Sequence, residues 1–112
     1  MTQVPSSNRL KFGTELRLSA ASFTGSVVLI GALSEVPAII TFNNDTDQTV
    51  FVADNTGSTK GLTLTAGEKI IVDCVTNKGG SASYLAFVNG TKFYATAPVG
   101  TGAFRIGVLT AE

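Results

Sequence analysis

The most reactive side chains in this sequence are a single cysteine and a group of acidic residues. Cys74 follows Ile70 and Val72 at alternate positions. We therefore expect its thiol on the apolar face of a strand, where cysteine behaves as a small hydrophobic residue. The sequence has no histidine to serve as the base beside a cysteine or serine nucleophile. We predict no catalytic residue and no enzymatic activity.

Asp45, Asp47 and Asp54 lie in segments that are also rich in asparagine, so their oxygens could bind calcium. Their spacing matches no EF-hand loop, and aspartate and asparagine are the residues that turns use in any case. A turn is the favoured interpretation, and calcium binding stays open. The other acids single out no carboxylate pair for a glycosidase. We predict no metal-binding residue and no cofactor.

Three aromatic residues could line a sugar-binding face, because aromatic rings stack on the apolar faces of sugars. They are Tyr84, Phe87 and Tyr94. Core packing of Phe87 and ordinary exposure of the tyrosines are favoured. A carbohydrate- or receptor-binding module that uses Tyr84, Tyr94 and the loops from Asp45 to Asp54 remains the alternative function.

Composition excludes further classes of function. The chain has 112 residues, which suits one domain, and eight basic residues balance eight acidic ones. Charged residues make up 14% of it, and threonine, serine and glycine together contribute 36 residues. Without a basic excess we expect no nucleic-acid binding. The longest apolar run is too short to cross a membrane, and the first residues lack the apolar core of a secretion signal.

Short apolar runs separated by turn residues every 8–12 positions are typical of an all-β protein. Alternation of apolar and polar residues supports several strands; Phe104, Ile106 and Val108, for example, alternate with smaller or polar residues. We predict a compact antiparallel two-sheet sandwich of jelly-roll or Greek-key type. Its eight strands would be Glu15–Ala20, Ser26–Leu33, Ala38–Phe42, Thr49–Ala53, Leu62–Thr65, Lys69–Val75, Lys92–Ala97 and Gly102–Leu109. Helix is limited to one turn, near Ser83–Val88.

Residues 1–13 are polar and include Pro5, so we predict an extended N-terminal arm before a single domain at 14–112. The arm would become ordered on a neighbouring subunit. Four of its residues are candidates for that contact, two basic and two apolar: Arg9, Leu10, Lys11 and Phe12. Residues 35–54 carry four acids and no base, so the basic arm and this acidic region could meet on adjacent subunits.

The run Val27-Val28-Leu29-Ile30 does not alternate. Such a strand is buried on both faces or places one face against a partner. A two-sheet sandwich buries one face of each strand, so this run and Ile71 are candidates for a subunit interface. An arm or loop folded over the run is the alternative.

Four segments of residues 38–109 carry a resemblance to a known group of proteins. They are Thr41–Asp54, Thr63–Asp73, the turn and strand Asn89-Gly90-Thr91-Lys92-Phe93-Tyr94-Ala95, and Thr101-Gly102-Ala103-Phe104-Arg105-Ile106. In this order they resemble small virion proteins of tailed bacteriophages. The resemblance implies a non-enzymatic accessory protein of capsid, neck or tail that forms symmetric oligomers, and it transfers no individual binding residue.

We therefore expect a structural protein of a bacteriophage virion, made in the host cytoplasm. Its partners would be copies of itself and other virion proteins, with a glycan as partner in the alternative function. Nucleic acid and membranes are not expected partners.

Overall fold

Strand pairing organises most of the chain. The computed structural model describes residues 10–74 and 87–111. Within these ranges the chain forms one turn of 3-10 helix, Ala20–Ser22, and nine strands. The strands are β1 (Leu10–Phe12), β2 (Leu16–Ser19), β3 (Val27–Ala32), β4 (Ile39–Thr46), β5 (Val50–Ala53), β6 (Leu62–Leu64), β7 (Lys69–Asp73), β8 (Lys92–Thr96) and β9 (Gly102–Ala111).

The strands form two antiparallel sheets. Sheet A has the order β1-β9-β4-β7, and β2 also pairs with β9. Both β1 and β2 lie along the same side of β9, because β4 occupies the other side over residues 102–109. Sheet B has the order β3-β8-β5-β6.

Successive strands from β2 onward lie in opposite sheets, except for the pair β5 and β6. Numbered from β2, the eight strands have the orders 1-8-3-6 and 2-7-4-5. This is the connectivity of a jelly roll. The predicted all-β two-sheet sandwich is confirmed. Residues 10–12 of the predicted arm form β1, and residues 1–9 lie outside the described part of the chain.

The core lies between the sheets and is filled by alternate residues of each strand. In β9, Phe104, Ile106 and Val108 are buried. Phe42 of sheet A meets Phe93 of sheet B edge to face, with ring centroids 5.5 Å apart. Phe93 is buried between an exposed Lys92 and a half-buried Tyr94. Such edge-to-face pairs stabilise beyond the area that they bury.

A bulge in β3 changes the interpretation of the non-alternating run. The register shifts between Leu29 and Gly31, so that Ile30 is an extra residue in β3. Val27 and Leu29 are exposed, whereas Val28 is half-buried and Ile30 is buried. The strand therefore does alternate in direction. Its sequence does not show this because the outward residues are also apolar.

The segment 43–48 was expected to be a turn, and this was wrong for its first four residues. Strand β4 continues through Thr46. Asn44 belongs to it and is fully buried. Its side-chain amide donates to the carbonyl oxygens of Gln48, Leu64 and Thr65 over 2.8–3.0 Å. Asn44 thus ties β4 to the start of β5 and the end of β6, and we call this region the Asn44 corner.

The turn at Asn89-Gly90 is confirmed, since Gly90 has a φ of 91° and the amide of Thr91 donates to the carbonyl of Val88. Most of the helical turn expected near Ser83–Val88 falls outside the described residues. The 3-10 turn at Ala20–Ser22 has no counterpart in the sequence prediction. Helices long and apolar enough to span a membrane do not occur in residues 10–74 and 87–111.

Candidate functional site

The outer face of sheet A carries a group of apolar side chains. Directly opposed residues of neighbouring strands point to the same side of a sheet. Phe12, Leu109 and Ile39 are opposed in this way across β1, β9 and β4. The neighbouring positions on β1 and β7 add Leu10 and Ile71. We call these five residues the sheet A patch.

Three members of the sheet A patch are largely open to solvent. Phe12 is 90% exposed, Ile71 71% and Leu10 49%. Ile39 and Leu109 are half-buried and connect them. Single exposed apolar residues are ordinary, but contiguous ones mark surfaces that bind another molecule.

Charged side chains border this patch. On β7, Lys69 and Asp73 lie on either side of Ile71 and face the same way. Further along the sheet, Arg105 donates from Nε to Asp45 over 2.9 Å and makes a second hydrogen bond from Nη2. Glu15 lies 3.8 Å from the same guanidinium. The hydrogen bonds and charge of Asp45, together with the charge of Glu15, raise the pKa of Arg105.

The outer face of sheet B has a smaller apolar area. Val27 and Leu29 are 42% and 49% exposed, and they lie opposite Thr96 and Tyr94 of β8. Beside them is a hollow of about 170 Å³. Side chains of β3, β5 and β8 and of the loop after β5 line this hollow: Val27, Phe51, Ala53, Asn55, Thr56, Ser58, Tyr94 and Thr96.

The structure divides the apolar residues of the predicted interface among three locations. Leu10, Phe12 and Ile71 come together on sheet A, whereas Val27 and Leu29 lie on the opposite face of the sandwich. Val28 and Ile30 point inward, so an interface formed by the whole run Val27–Ile30 needs correction: two of its four side chains belong to the core.

The two basic arm residues have different outcomes. Lys11 is exposed and pairs with Thr110. Its position alternates with Leu10 and Phe12, so it lies on the other side of β1. Arg9 lies outside the described residues. Two members of the sheet A patch, Ile39 and Leu109, were missed by the sequence prediction. The sequence did carry a signal for them. Ile39 lies two positions before the outward Thr41 in β4, and Leu109 lies two positions after the outward Gly107 in β9.

Three of the four acidic residues in segment 35–54 are held by contacts within the chain. Asp45 pairs with Arg105, and Asp47 Oδ1 accepts a hydrogen bond from the Thr101 amide over 2.9 Å. The Thr101 hydrogen bond lowers the pKa of Asp47. Glu35 accepts from the amide of Thr14 over 3.0 Å. Across residues 10–74 and 87–111, no three Cys, Asp or Glu residues are grouped closely enough to hold a metal ion.

Cys74 is buried at 1% exposure, as its place on the apolar face predicted. Phe87 packs against the core and meets Phe93 edge to face, with centroids 5.2 Å apart. This confirms the predicted core role of Phe87. Tyr94 is half-buried in sheet B, and Tyr84 lies outside the described residues.

A cavity of about 540 Å³ lies between the sheets near β6 and β7. Core side chains such as Phe42, Val52 and Val72 form its apolar wall, and Asp54 and Lys60 lie at its lining. Phe87 also lines the cavity. The residues just before it, 75–86, lie outside the described part of the chain. Its wall thus belongs mainly to the core that holds the two sheets together.

Comparison with known proteins gave no match: no protein-family model, curated protein or solved structure is significantly similar to this chain.

Proposed function

We propose that the protein is a non-enzymatic structural protein of a bacteriophage virion, which assembles with copies of itself and with other virion proteins. The observation that carries the proposal is the sheet A patch, and above all the 90% exposure of Phe12. The part that concerns assembly comes from this surface. The part that concerns the virion comes from the resemblance of residues 38–109 to small phage virion proteins.

The sheet A patch has the physical properties of a protein–protein contact. Burying a fully exposed phenylalanine or isoleucine stabilises a complex by about 1.5–3 kcal/mol for each side chain. The patch is apolar in the middle and has Lys69 and Asp73 at its margin. Interfaces commonly have such an apolar centre and a polar rim.

Paired strands hold most of the patch in place. Leu109 and Ile39 lie in long paired strands, and β1 is attached to β9 over three residue pairs. Binding a partner would therefore cost little conformational entropy for ordering the patch. The jelly-roll connectivity agrees with the proposal but does not select it, because viral capsid proteins and lectins both use this architecture.

The test compares the full chain with a Phe12→Ser variant. Light scattering should show self-association of the full chain that Phe12→Ser weakens, and mass spectrometry should find the chain in purified particles of the phage that encodes it. Leu29→Ser, on the opposite face, is the matched control. A monomeric chain that is also missing from the particles would overturn the proposal.

A second candidate function is carbohydrate binding at the hollow on sheet B. The hollow combines two aromatic rings, Phe51 and Tyr94, with the polar side chains Asn55, Thr56 and Ser58. Stacking on a ring and hydrogen bonding to hydroxyls are the two contacts that a sugar needs. A glycan array with the wild type and Tyr94→Ala tests this function, with calcium present and absent. Binding that Tyr94→Ala abolishes would support it, and no binding in either condition would reject it.

A further inference from the structure

The turn that leads into β8 places an asparagine directly before a glycine, at Asn89-Gly90. Both residues are exposed. The backbone nitrogen of the residue after an asparagine can attack the asparagine side chain, and asparagine is one of the thermolabile residues for this reason. A glycine in that position hinders the attack least, because it has no Cβ. The turn therefore brings together the two groups of an intramolecular reaction.

Three other asparagines lie in the described ranges, 10–74 and 87–111: Asn43, Asn44 and Asn55. Asn44 is fully buried, and its side-chain amide donates to three carbonyl oxygens. The amide of Asn43 donates to a threonine hydroxyl over 3.1 Å, and the side-chain oxygen of Asn55 accepts from a backbone amide over 3.1 Å. Each of the three also precedes a residue that has a Cβ. Asn89 is therefore the best placed of the four to react with its neighbour.

Hydrogen bonds hold the attacking nitrogen in the closed turn. The Gly90 amide donates to the carbonyl of Leu33 over 2.8 Å, and the Thr91 amide donates to the carbonyl of Val88 over 3.1 Å. The Thr91 hydroxyl donates to the same Val88 carbonyl over 2.8 Å. An attack on Asn89 removes the proton of the Gly90 amide, so the bond to Leu33 must break first. Local opening of the turn should therefore limit the reaction.

We propose that Asn89 is a site of spontaneous deamidation, and that opening of the turn at residues 88–91 sets its rate. The Gly90 nitrogen forms a bond to Cγ of Asn89. The bond from Cγ to the side-chain nitrogen breaks, and that nitrogen takes up the proton and leaves as ammonia. Water then opens the resulting cyclic imide at either of its carbonyls, which gives aspartate or isoaspartate. Water is the only co-reactant.

The isoaspartate product would change the backbone of this turn. The main chain then runs through the former side chain of Asn89 and is longer by one carbon atom. Two hydrogen bonds of 2.8 Å join the turn to the end of β3: the Gly90 amide donates to Leu33, and the Leu33 amide donates to the Thr91 carbonyl. A longer turn disturbs the register of both. Either product also adds one negative charge to a chain whose formal net charge is zero.

Digestion after lysine and arginine isolates the site for mass spectrometry. Residues 79–92 form a peptide in which Asn89 is the only asparagine or glutamine, and residues 18–60 form a peptide that contains the other three asparagines. The folded full chain is incubated in a warm, mildly alkaline buffer, and the exchange of an amide NH2 for OH is followed in both peptides. The exchange should be fastest in 79–92, and it should yield isoaspartate beside aspartate because only the imide gives isoaspartate. An exchange that is no faster than in 18–60, or aspartate as the sole product, would overturn the proposal.

Two comparisons test whether the turn sets the rate. The full chain unfolded in guanidinium chloride should react at Asn89 faster than the folded chain. Thr91→Val removes the hydroxyl that bonds to Val88 and leaves the reacting groups in place. It should accelerate the reaction of the folded chain by about fivefold, the factor that corresponds to about 1 kcal/mol for one hydrogen bond. Thr63→Val, the same change at an exposed position of β6, is the matched control and should leave the rate unchanged.

The comparison of the folded and unfolded wild type needs no variant, so it decides the point even if Thr91→Val fails to fold. Equal rates in the two states would refute control by the turn, and so would equal rates in folded Thr91→Val and Thr63→Val. Urea unfolding measures the consequence for the fold. The isoaspartate form should have a lower urea midpoint than the unmodified chain, and an unchanged midpoint would contradict the disturbed junction between the turn and β3.

Discussion

The Asn44 corner and the sheet A patch are opposites in chemistry and position. The corner is a polar group inside the protein: Asn44 is fully buried, its amide donates to three carbonyls, and its oxygen accepts from the Thr46 amide and hydroxyl. The patch is an apolar group outside the protein, with Phe12 and Ile71 largely exposed.

Each region departs from the usual distribution of residues for a different reason. A buried polar group is tolerated when its hydrogen bonds are made, and Asn44 makes them within the chain. An exposed apolar side chain is removed from water only when another molecule covers it. The contrast assigns the corner to folding and the patch to assembly. Changes in the two regions should therefore affect different measurements.

The largest effect is expected for Asn44→Ala. This change removes the five hydrogen bonds of the Asn44 side chain, although the Gln48 carbonyl keeps the Thr46 hydroxyl and the Thr65 carbonyl keeps the Glu68 amide. A buried group that loses its partner costs about 1–3 kcal/mol, so we expect the free energy of unfolding to fall by about 3 kcal/mol. Urea unfolding measures it.

The neighbouring Asn43→Ala is the control for that change. Asn43 is half-buried on the outer face, where it donates to Thr41 Oγ1 over 3.1 Å. Its loss should cost about 1 kcal/mol or less. Equal effects at the two positions would contradict the structural role of the corner.

Gly102→Ala tests the same corner through the backbone. Gly102 has a φ of 86°, and a Cβ there would lie 2.1 Å from the carbonyl oxygen of Asp45. Strain from the φ value alone costs about 1–3 kcal/mol. The clash with the Asp45 carbonyl adds to this strain, so we expect a loss of stability at the upper end of that range, again by urea unfolding. Gly67→Ala is the control for φ alone, because Gly67 has a φ of 83° and open space around its Cβ. An equal or larger loss at Gly67 would contradict the close approach at Gly102.

Phe12→Ser should have a smaller effect, and it should change self-association rather than stability. The free energy of unfolding should change little, because Phe12 is 90% exposed and is not part of the core. Self-association should weaken by about tenfold, which corresponds to about 1.4 kcal/mol of lost apolar burial. Concentration-dependent light scattering measures the association. A marked loss of stability without a change in association would reverse the assignment of the two regions.

The sequence contains enough information for the strands and their inward faces. The alternation in β9 and β7 correctly predicted that Ile106 is buried and Ile71 exposed. It could not reveal Asn44, because Asn43-Asn44-Asp45 has the composition of a turn and only the pairing of β4 shows that the strand continues. Nor could it reveal the bulge at Ile30, since an extra residue leaves no mark in a uniformly apolar run.

The grouping of Leu10, Phe12 and Ile71 on one face also required the fold. Ile71 follows Leu10 and Phe12 by 61 and 59 positions in the chain. They come together because β1 and β4 pair with opposite sides of β9, and β7 pairs with β4.

The smallest effect concerns acid stability near the corner. The folded-state pKa of Asp47 is lower than its ordinary value of 3.8, because the Thr101 amide hydrogen bonds to the ionised carboxyl. Its contribution to stability is therefore present above about pH 4 and is lost as the pH falls through the folded-state pKa. Asp47→Asn should lose less stability than the wild type between about pH 6 and about pH 2. Urea midpoints across this range measure it, and parallel curves for the two proteins would contradict it.

The most direct test of the assignment of the sheet A patch to assembly is the light-scattering mass of the wild type and Phe12→Ser over a range of concentrations. The wild-type mass should rise above the 11.6 kDa of one chain, and Phe12→Ser should move it back toward that value while Leu29→Ser does not. A wild type that stays at 11.6 kDa throughout, or a Phe12→Ser variant with the wild-type mass, would contradict the assignment.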